Sequence, residues 1–474
     1  MMSRWIRCVI AVSCFSFTAA STAGNGAPEL AASPELPRQV ILIIGDGMDD
    51  QQLTIARNYL VGASGRLLLD TLPLRSTSQV LTIENEIGGK PVYVADSANT
   101  ATTMATGVLT SRGRIATTVG DNQPIPTIVE IASAAGYKTG IVSTASVTDA
   151  TPAAFATHMS LRLCENPETM LGVTYKDIFL GNCLGERKSQ GGPGSISEQL
   201  ASSALDVILG GGMKHFAMPI EGGTTAVVEL AKSHGYQLVT STAELQSAGT
   251  DQRLLGLFSP GTMPVRLRAQ NGRSAEEPKP SLLHQVHRYL GEVTLPAAMN
   301  CEPNPAFAKV PSLKEMTDAA LHQLSQDNTR GFFLMVESAS IDKQAHKRKP
   351  CGSIGEVEQL NEVLDSALTF AANNPHTLIL LTADHAHAAQ IVPNESLYAK
   401  YTIPVYTPGK LARINTPEGA VLAVNYATNS FPYEEHTGAS VPLFSNQVGV
   451  GLVPAFIAQA DIFHISRTYL NLDP

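Results

Sequence analysis

Gln39-Val-Ile-Leu-Ile-Ile-Gly-Asp-Gly47 is an unbroken apolar run that ends in a glycine-flanked aspartate. A strand with one face in water would alternate polar and apolar residues. This run does not, so it predicts a strand buried on both faces, as in a parallel sheet. Gly45 and Gly47 let the backbone turn and leave Asp46 just past the strand's carboxyl end. Further strands are read at Lys138-Thr-Gly-Ile-Val-Ser143, Leu205-Asp-Val-Ile-Leu-Gly-Gly-Gly212, Gln237 to Thr240, Gly331-Phe-Phe-Leu-Met-Val336 and Thr377-Leu-Ile-Leu-Leu-Thr382. Helices are predicted over 51–59, 127–135 and 355–372, the last with Val357, Leu360, Leu364, Ala367, Leu368 and Ala371 on one face. Ser312 and Glu315 form a capping box ahead of a stripe made by Leu313, Met316, Ala320, Leu321 and Leu324. This alternation predicts an α/β fold with a large, mainly parallel central sheet flanked by helices on both faces. It would be a single domain over 38–474 with peripheral insertions, 215–310 being the least informative stretch. Ligands of such sheets bind beyond the carboxyl ends of the strands.

Five polar sets follow predicted strands at that end: Asp46, Asp96-Ser97, Thr148 to Thr151, Glu337 to His346, and Asp384-His385. One carboxylate after one strand is ordinary, because it caps the next helix. Five sets rich in Asp, Glu and His on one rim are not explained as caps. Val94-Ala-Asp-Ser-Ala-Asn-Thr-Ala-Thr-Thr-Met-Ala-Thr-Gly107 predicts an extended segment that opens a helix at Ser97 and stops at Gly107. Ser97 then sits where free backbone N–H groups and the helix dipole favour an anion. By itself the Asp-Ser-Ala tripeptide reads more readily as an N-cap on a surface helix, and the rest of the chain must supply the metals and the anion clamp.

Asp342 and His346, four residues apart, share a face if helical and can bind one cation, with His436 of Glu434-Glu-His-Thr-Gly438 as a third ligand. Asp46, Asp384, His385 and the Ser97 oxygen make a second set. Imidazole and carboxylate ligands without cysteine suit zinc. Asp46, Thr151 and Glu337 make an all-oxygen set suited to magnesium. Thr151 before Pro152 predicts an N-cap, with a helix from Ala153 to Arg162. Arg162 has the fork geometry to hold two phosphate oxygens; its ordinary alternative is a surface salt bridge.

At 474 residues, 43% hydrophobic and with mean hydropathy near zero, the chain has the composition of a soluble globular protein with a substantial core. Arg4 and Arg7 precede an apolar run, Cys8 to Ala20, and the small residues Ser21-Thr-Ala23, the order of a secretory leader over 1–23. A linker over 24–37 follows. The apolar run is short for a membrane span, so no span is expected in the mature chain. A lipid anchor on Cys14 is the alternative leader reading. Of 33 basic and 42 acidic residues, two basic ones leave with the leader, and the mature charge is about −11. That acidity argues against non-specific nucleic-acid binding. Four cysteines remain, Cys164, Cys183, Cys301 and Cys351. An even count in an exported chain suggests two disulfides, nearest-neighbour pairing being the simplest of three connectivities.

The segments Ile43-Ile-Gly-Asp-Gly-Met48, Asp96-Ser-Ala98, Asp149-Ala-Thr-Pro-Ala-Ala154 with Arg162, Val336-Glu-Ser-Ala-Ser-Ile-Asp-Lys-Gln-Ala-His346, Thr382-Ala-Asp-His-Ala-His387 and Glu435-His-Thr-Gly438 together resemble bacterial alkaline phosphatases, in that family's order. The resemblance runs from about 38 to 465 and is weaker over 215–310. It implies a periplasmic or extracellular phosphomonoesterase in which Ser97 is phosphorylated and Arg162 clamps the phosphoryl oxygens. It further implies two zinc ions, one on Asp342, His346 and His436 and one on Asp46, Asp384 and His385. One magnesium would lie on Asp46, Thr151 and Glu337. Asp149, Lys343 and His387 would support these groups from behind. Disulfides Cys164–Cys183 and Cys301–Cys351 and a homodimer are also implied. Asp49-Asp50 after Met48, and Asn99 and Thr100 after the nucleophile, depart from the family's usual small residues. A phosphodiesterase or phosphomutase on the same scaffold is the competing enzyme. A phosphate-binding or metal-storage protein is the competing non-enzyme, against which Ser97 and Arg162 argue. A sulfatase is disfavoured because Ser97 lacks the following Pro and Arg of that signal.

Overall fold

The computed structural model describes residues 36–472 apart from Arg288, Leu397 and residues 402–407, so the expected leader lies outside the described residues. Ten strands form one sheet: β1 (Arg38–Gly45), β2 (Leu74–Gln79), β3 (Lys138–Ser146), β4 (Val207–Gly211), β5 (Tyr236–Val239), β6 (Arg253–Leu257), β7 (Gly331–Ser338), β8 (Thr377–Ala383), β9 (Val441–Ser445) and β10 (Phe456–Ala458). Their order across the sheet is β10-β2-β9-β8-β1-β7-β3-β4-β6-β5. From β8 to β5 every neighbouring pair is parallel; β9 runs antiparallel to both β8 and β2.

β1 is central because both its faces are apolar. Ile41 and Ile43 point into one core, and Val40, Leu42 and Ile44 into the other. β7 divides the same way, Phe332, Leu334 and Val336 against Phe333 and Met335. Helices α1 (Asp50–Leu60), α2 (Ser97–Thr106), α3 (Ala150–Ala154), α4 (Leu313–Ser325), α5 (Ser340–His346), α6 (Pro350–Asn373) and α7 (Asp461–Tyr469) supply much of the cover. The α4 stripe and Val357, Leu360, Leu364 and Ala367 of α6 join the first core, while Ala98, Ala101, Met104 and Ala105 of α2 and Ile462 and Phe463 of α7 join the second. An all-apolar strand needs such cover on both sides. Among the described residues no helix is long and apolar enough to cross a membrane.

Two sequence expectations fail. The helix expected from Ala153 to Arg162 stops at Ala154, and its N-cap is Asp149, not Thr151: Asp149 accepts the Ala150 amide, which starts the helix two residues earlier. Beyond it the backbone finds long-range partners. Met159 and Ile115 exchange backbone hydrogen bonds, and the Arg162 amide bonds to Gly113 O. Those pairings outcompete helix propagation, so Arg162 lies on a loop. Second, Asp96-Ser97 does not follow a strand of the main sheet. The preceding strand, Pro91–Val92, belongs to a separate two-stranded ribbon with Thr82–Ile83. Within 215–310, β5 and β6 finish the edge of the main sheet, and the rest is short ribbons and helical turns. Both disulfides pair neighbours in sequence, Cys164–Cys183 and Cys301–Cys351.

Candidate active site

Strand register gathers the acids. Gly45 at the end of β1 pairs with Ser338 of β7 on one side and Ala383 of β8 on the other. The next residues, Asp46 and Asp384, therefore leave the sheet side by side, with Glu337 at the end of β7. Gly47 then turns at φ +69°, its amide donating to Asp384 Oδ1 at 2.9 Å. A Cβ at Gly47 would stand 3.1 Å from Asp342 Cβ, so the close approach requires glycine. α2 brings Ser97 to this edge. Asp96 caps it with a reciprocal pair, accepting the Asn99 amide while Asn99 Oδ1 accepts the Asp96 amide at 2.8 Å. Gly107 closes it in the left-handed region. The buried Ser97 Oγ is 3.3 Å from Asp46 Oδ1 and 3.1 Å from His385 Nε2.

A cluster of imidazoles adjoins. Asp342 Oδ1 lies 3.3 Å from His346 Nε2, 3.3 Å from His387 Nε2 and 3.2 Å from His436 Nε2, and the Nε2 atoms of His346 and His436 are 3.0 Å apart. Partners on the far ring nitrogens separate their roles. Nδ1 of His346 faces the Glu434 carbonyl, and Nδ1 of His436 faces the Ala95 carbonyl at 2.9 Å. A carbonyl only accepts, so both Nδ1 atoms carry a proton, and in the neutral rings both Nε2 atoms present lone pairs. His387 is the reverse: its Nδ1 accepts the Ala388 amide at 2.8 Å, which puts its proton on Nε2, facing Asp342. His346 and His436 thus turn lone pairs toward Asp342, and His387 turns its Nε2–H toward it at 3.3 Å without an aligned hydrogen bond. Burial lowers His387 to about 4, which keeps it neutral.

The third group is made of paired charges. Asp149 contacts Lys343 Nζ through Oδ2 and Arg162 Nη2 through Oδ1 at 2.9 Å. Arg162 Nη1 reaches Asp96 Oδ2 at 3.3 Å. Despite burial, Lys343 and Arg162 hold Asp149 well below the usual carboxylate range. Thr151 is buried in α3, which packs on β3 and β7, and Glu337 bonds to Ser143 Oγ.

A cation centre fits these donors. Burial, then the Asp384 and Asp342 charges, push Asp46 up to about 8; burial and Asp46 push Glu337 up to about 8. Two facing lone pairs on His346 and His436 repel. Among the described residues Asp342 Oδ1 finds no aligned hydrogen bond. Positive charge among the donors relieves the raised carboxylates, the facing lone pairs and the unpaired Asp342 oxygen, and buried carboxylates and imidazoles without cysteine suit divalent ions. Asp342, His346 and His436 converge together with His387, and Asp46, His385 and Asp342 make a second buried set beside Ser97 Oγ, with Asp384 Oδ2 at 3.4 Å from His385 Nε2.

Two roles at the site were not read from sequence. Asp96, singled out beside Ser97, caps α2 and also contacts Arg162. Ser143 donates to Glu337. The departures also find partners. Asp49 caps α1 through the Gln51 and Gln52 amides and accepts the His387 amide at 3.2 Å. Thr100 Oγ1 lies 3.4 Å from Asp384 Oδ2, and Asn99 completes the α2 cap. The N-cap propensity of Asp was the readable signal for Asp49; its link to His387 was not readable, because it joins residues 338 apart.

Comparison with known proteins agrees with this geometry. The family model for alkaline phosphatase matches residues 37–441. The chain is 41% identical over 443 residues to the alkaline phosphatase of Escherichia fergusonii, covering 92% of this chain and 86% of that one. It is 38% identical to the streptomycin-6-phosphate phosphatase of Streptomyces griseus, covering 87% and 86%. A magnesium-bound variant of the alkaline phosphatase from the Antarctic bacterium TAB5 superposes with a TM-score of 0.61 at 20% identity, covering 93% of this chain and 100% of its own. The identity of the whole chain, and not the shared fold alone, carries the assignment: this is a phosphatase that belongs to the alkaline phosphatase family.

Proposed function

We propose that the protein is an exported, periplasmic phosphomonoesterase that transfers the phosphoryl group of a monoester to Ser97 and then to water. Asp342, His346 and His436 would hold one zinc, Asp46, Asp384 and His385 a second, and Asp46, Thr151 and Glu337 a magnesium. The observation that carries this reading is Ser97 Oγ at the amino end of α2, within 3.3 Å of Asp46 and 3.1 Å of His385, beside the Asp149-held Arg162. Bound cations would supply Lewis acidity, easing ionisation of the serine hydroxyl and stabilising the leaving oxygen.

The chain's own groups do the rest. Ser97 Oγ gives up its proton and bonds to phosphorus as the bond to the leaving oxygen breaks; water then cleaves the phosphoserine and restores the hydroxyl. Arg162 presents a fork to two phosphoryl oxygens, and Asp149 and Asp96 fix the plane of that fork. Backbone N–H groups in the first turn of α2 face the same charge, which grows in the transition state. Lys343 adds a positive charge behind Asp149. The two disulfides suit an oxidising compartment. The leader over 1–23, a catalytic domain over 38–474 and a homodimer complete the reading.

Ser97→Ala tests it. The variant is expected to form no phosphoenzyme and to hydrolyse monoesters at a small fraction of the parent rate, while binding the same metals. Parent enzyme should prefer an aryl monoester to the corresponding diester and gain rate from neutral to alkaline pH. Substantial turnover by Ser97→Ala would overturn the covalent route, and a preference for the diester would overturn the substrate class.

A further inference from the structure

Arg348 and Glu434 form the most completely buried arginine–carboxylate pair among the described residues, with side chains 3% and 0% exposed. Neither touches the reacting groups. Arg348 lies two residues beyond His346, where the chain leaves α5 with φ +55°, and Glu434 lies two residues before His436. Each imidazole that faces Asp342 with a lone pair is thus tied by a two-residue tether to one member of the pair.

The network between them uses every nitrogen of the guanidinium. Nε donates to Glu434 Oε2 at 2.7 Å, Nη1 to Pro432 O at 3.0 Å, and Nη2 to Phe431 O at 2.8 Å and Asn429 Oδ1 at 3.2 Å. Glu434 Oε1 accepts the Thr428 amide at 3.0 Å and its hydroxyl. The segment 427–435 has neither helix nor strand and leaves Phe431 and Tyr433 largely in solvent, so this one cation shapes it from within. The Glu434 main chain completes the link: its amide donates to His346 O at 2.9 Å, and its carbonyl accepts His346 Nδ1–H. That last bond sets the tautomer with Nε2 open.

Burying such a pair is poor value for stability, because desolvation offsets the attraction; a fully satisfied network instead enforces one arrangement. We propose that Arg348 and Glu434 are positioning residues dedicated to the cation site of Asp342, His346 and His436. They aim both imidazoles, and their loss loosens that site without loosening the one formed by Asp46, Asp384 and His385. The inference rests on the reading that these two sets hold cations.

The test uses full-length enzyme loaded with cadmium, observed by NMR, and with zinc, whose release to a chelator is timed. Arg348→Met is expected to speed release of one zinc class by about 10–100-fold, the usual effect of losing a group that orients a metal-bound histidine. It should shift or broaden one cadmium resonance and leave that of the Ser97-adjacent site in place. Glu434→Gln, whose carbonyl still accepts from Nε, should give a smaller change of the same selectivity, and it carries the test alone if Arg348→Met does not fold. Arg266→Met, which breaks a surface-proximal pair with Glu362, should move neither resonance. Equal loosening of both sites, or no change at either, overturns the inference and leaves the metal reading standing. Parent enzyme that takes up no cadmium overturns the metal reading first, and the inference with it.

Discussion

Around Asp342, imidazoles crowd one carboxylate at 3.2–3.3 Å, and no lysine or arginine among the described residues pairs with it. Around Asp149, two fixed cations, Lys343 and Arg162, already bracket the carboxylate. The first region is a set of lone pairs waiting for charge from outside. The second brings its own positive charge and aims it at an anion. One rim therefore contains a part whose donors suit a cation and a part whose positive charges the chain supplies itself.

The largest effect should come from the ion-dependent part. Exhaustive chelation, or His436→Ala, is expected to lower kcat/KM by roughly 10³-fold or more, since metal ions contribute several kcal/mol and each 1.36 kcal/mol is tenfold. Zinc restores the chelated parent and fails to restore the variant at the same concentration. Arg162→Lys strikes the other part. Losing the fork should reduce kcat/KM by about 10²-fold, the scale of one oxyanion donor, with metal content unchanged. If Arg162→Lys also sheds metal, the two regions are not independent and the contrast drawn here fails. Asp49→Ala comes next, because Asp49 joins the α1 cap to the His387 amide. It should lower stability by about 1 kcal/mol, the typical value of an N-cap, with only a small change in rate. Denaturant midpoints and steady-state kinetics on the same sample separate the two.

How much of this was readable before folding follows the same division. β1, β7 and β8 announce themselves as apolar runs, and because parallel strands align their carboxyl ends, Asp46, Glu337 and Asp384 were readable as neighbours. α5 put Asp342 and His346 on one face by spacing alone. Arg162 was found as a residue and misplaced as structure, because Ala153 to Arg162 has helical rhythm while Ile115 and Gly113, far back in sequence, claim its backbone. The imidazole tautomers were out of reach. They depend on the carbonyls of Ala95 and Glu434 and the amide of Ala388, and main-chain groups carry no sequence signature. His436 was offered as a third ligand from residue type alone, in a stretch without periodicity, and the structure sets it on a short strand, His436–Thr437, beside His346.

Glu356 is a buried carboxylate outside the rim and sharpens the contrast from the other side. It is 1% exposed, and its hydrogen-bond partners are neutral donors: Gln359 Nε2 at 2.7 Å, the Arg266 amide at 3.3 Å and Ser338 Oγ at 3.5 Å. Burial raises it from 4.5 to about 7. The folded state therefore holds this proton more tightly than the unfolded chain does. Its contribution to stability is complete below the ordinary glutamate pKa and is lost as pH rises through about 7. Glu356→Gln keeps a carbonyl for Gln359 Nε2 and the Arg266 amide, which share Oε1, and removes the ionisation. The variant should match the parent at pH 4.5 and be more stable by about 2 kcal/mol at pH 9, as read from denaturant midpoints at the two pH values. Glu337, pushed up by burial in the same way, should not gain from the equivalent change, because Glu337→Gln removes a charge that the rim uses. If both substitutions stabilise at pH 9 and both leave activity intact, Glu337 is no more than a second buried acid, and the oxygen-lined set loses its claim to hold a cation.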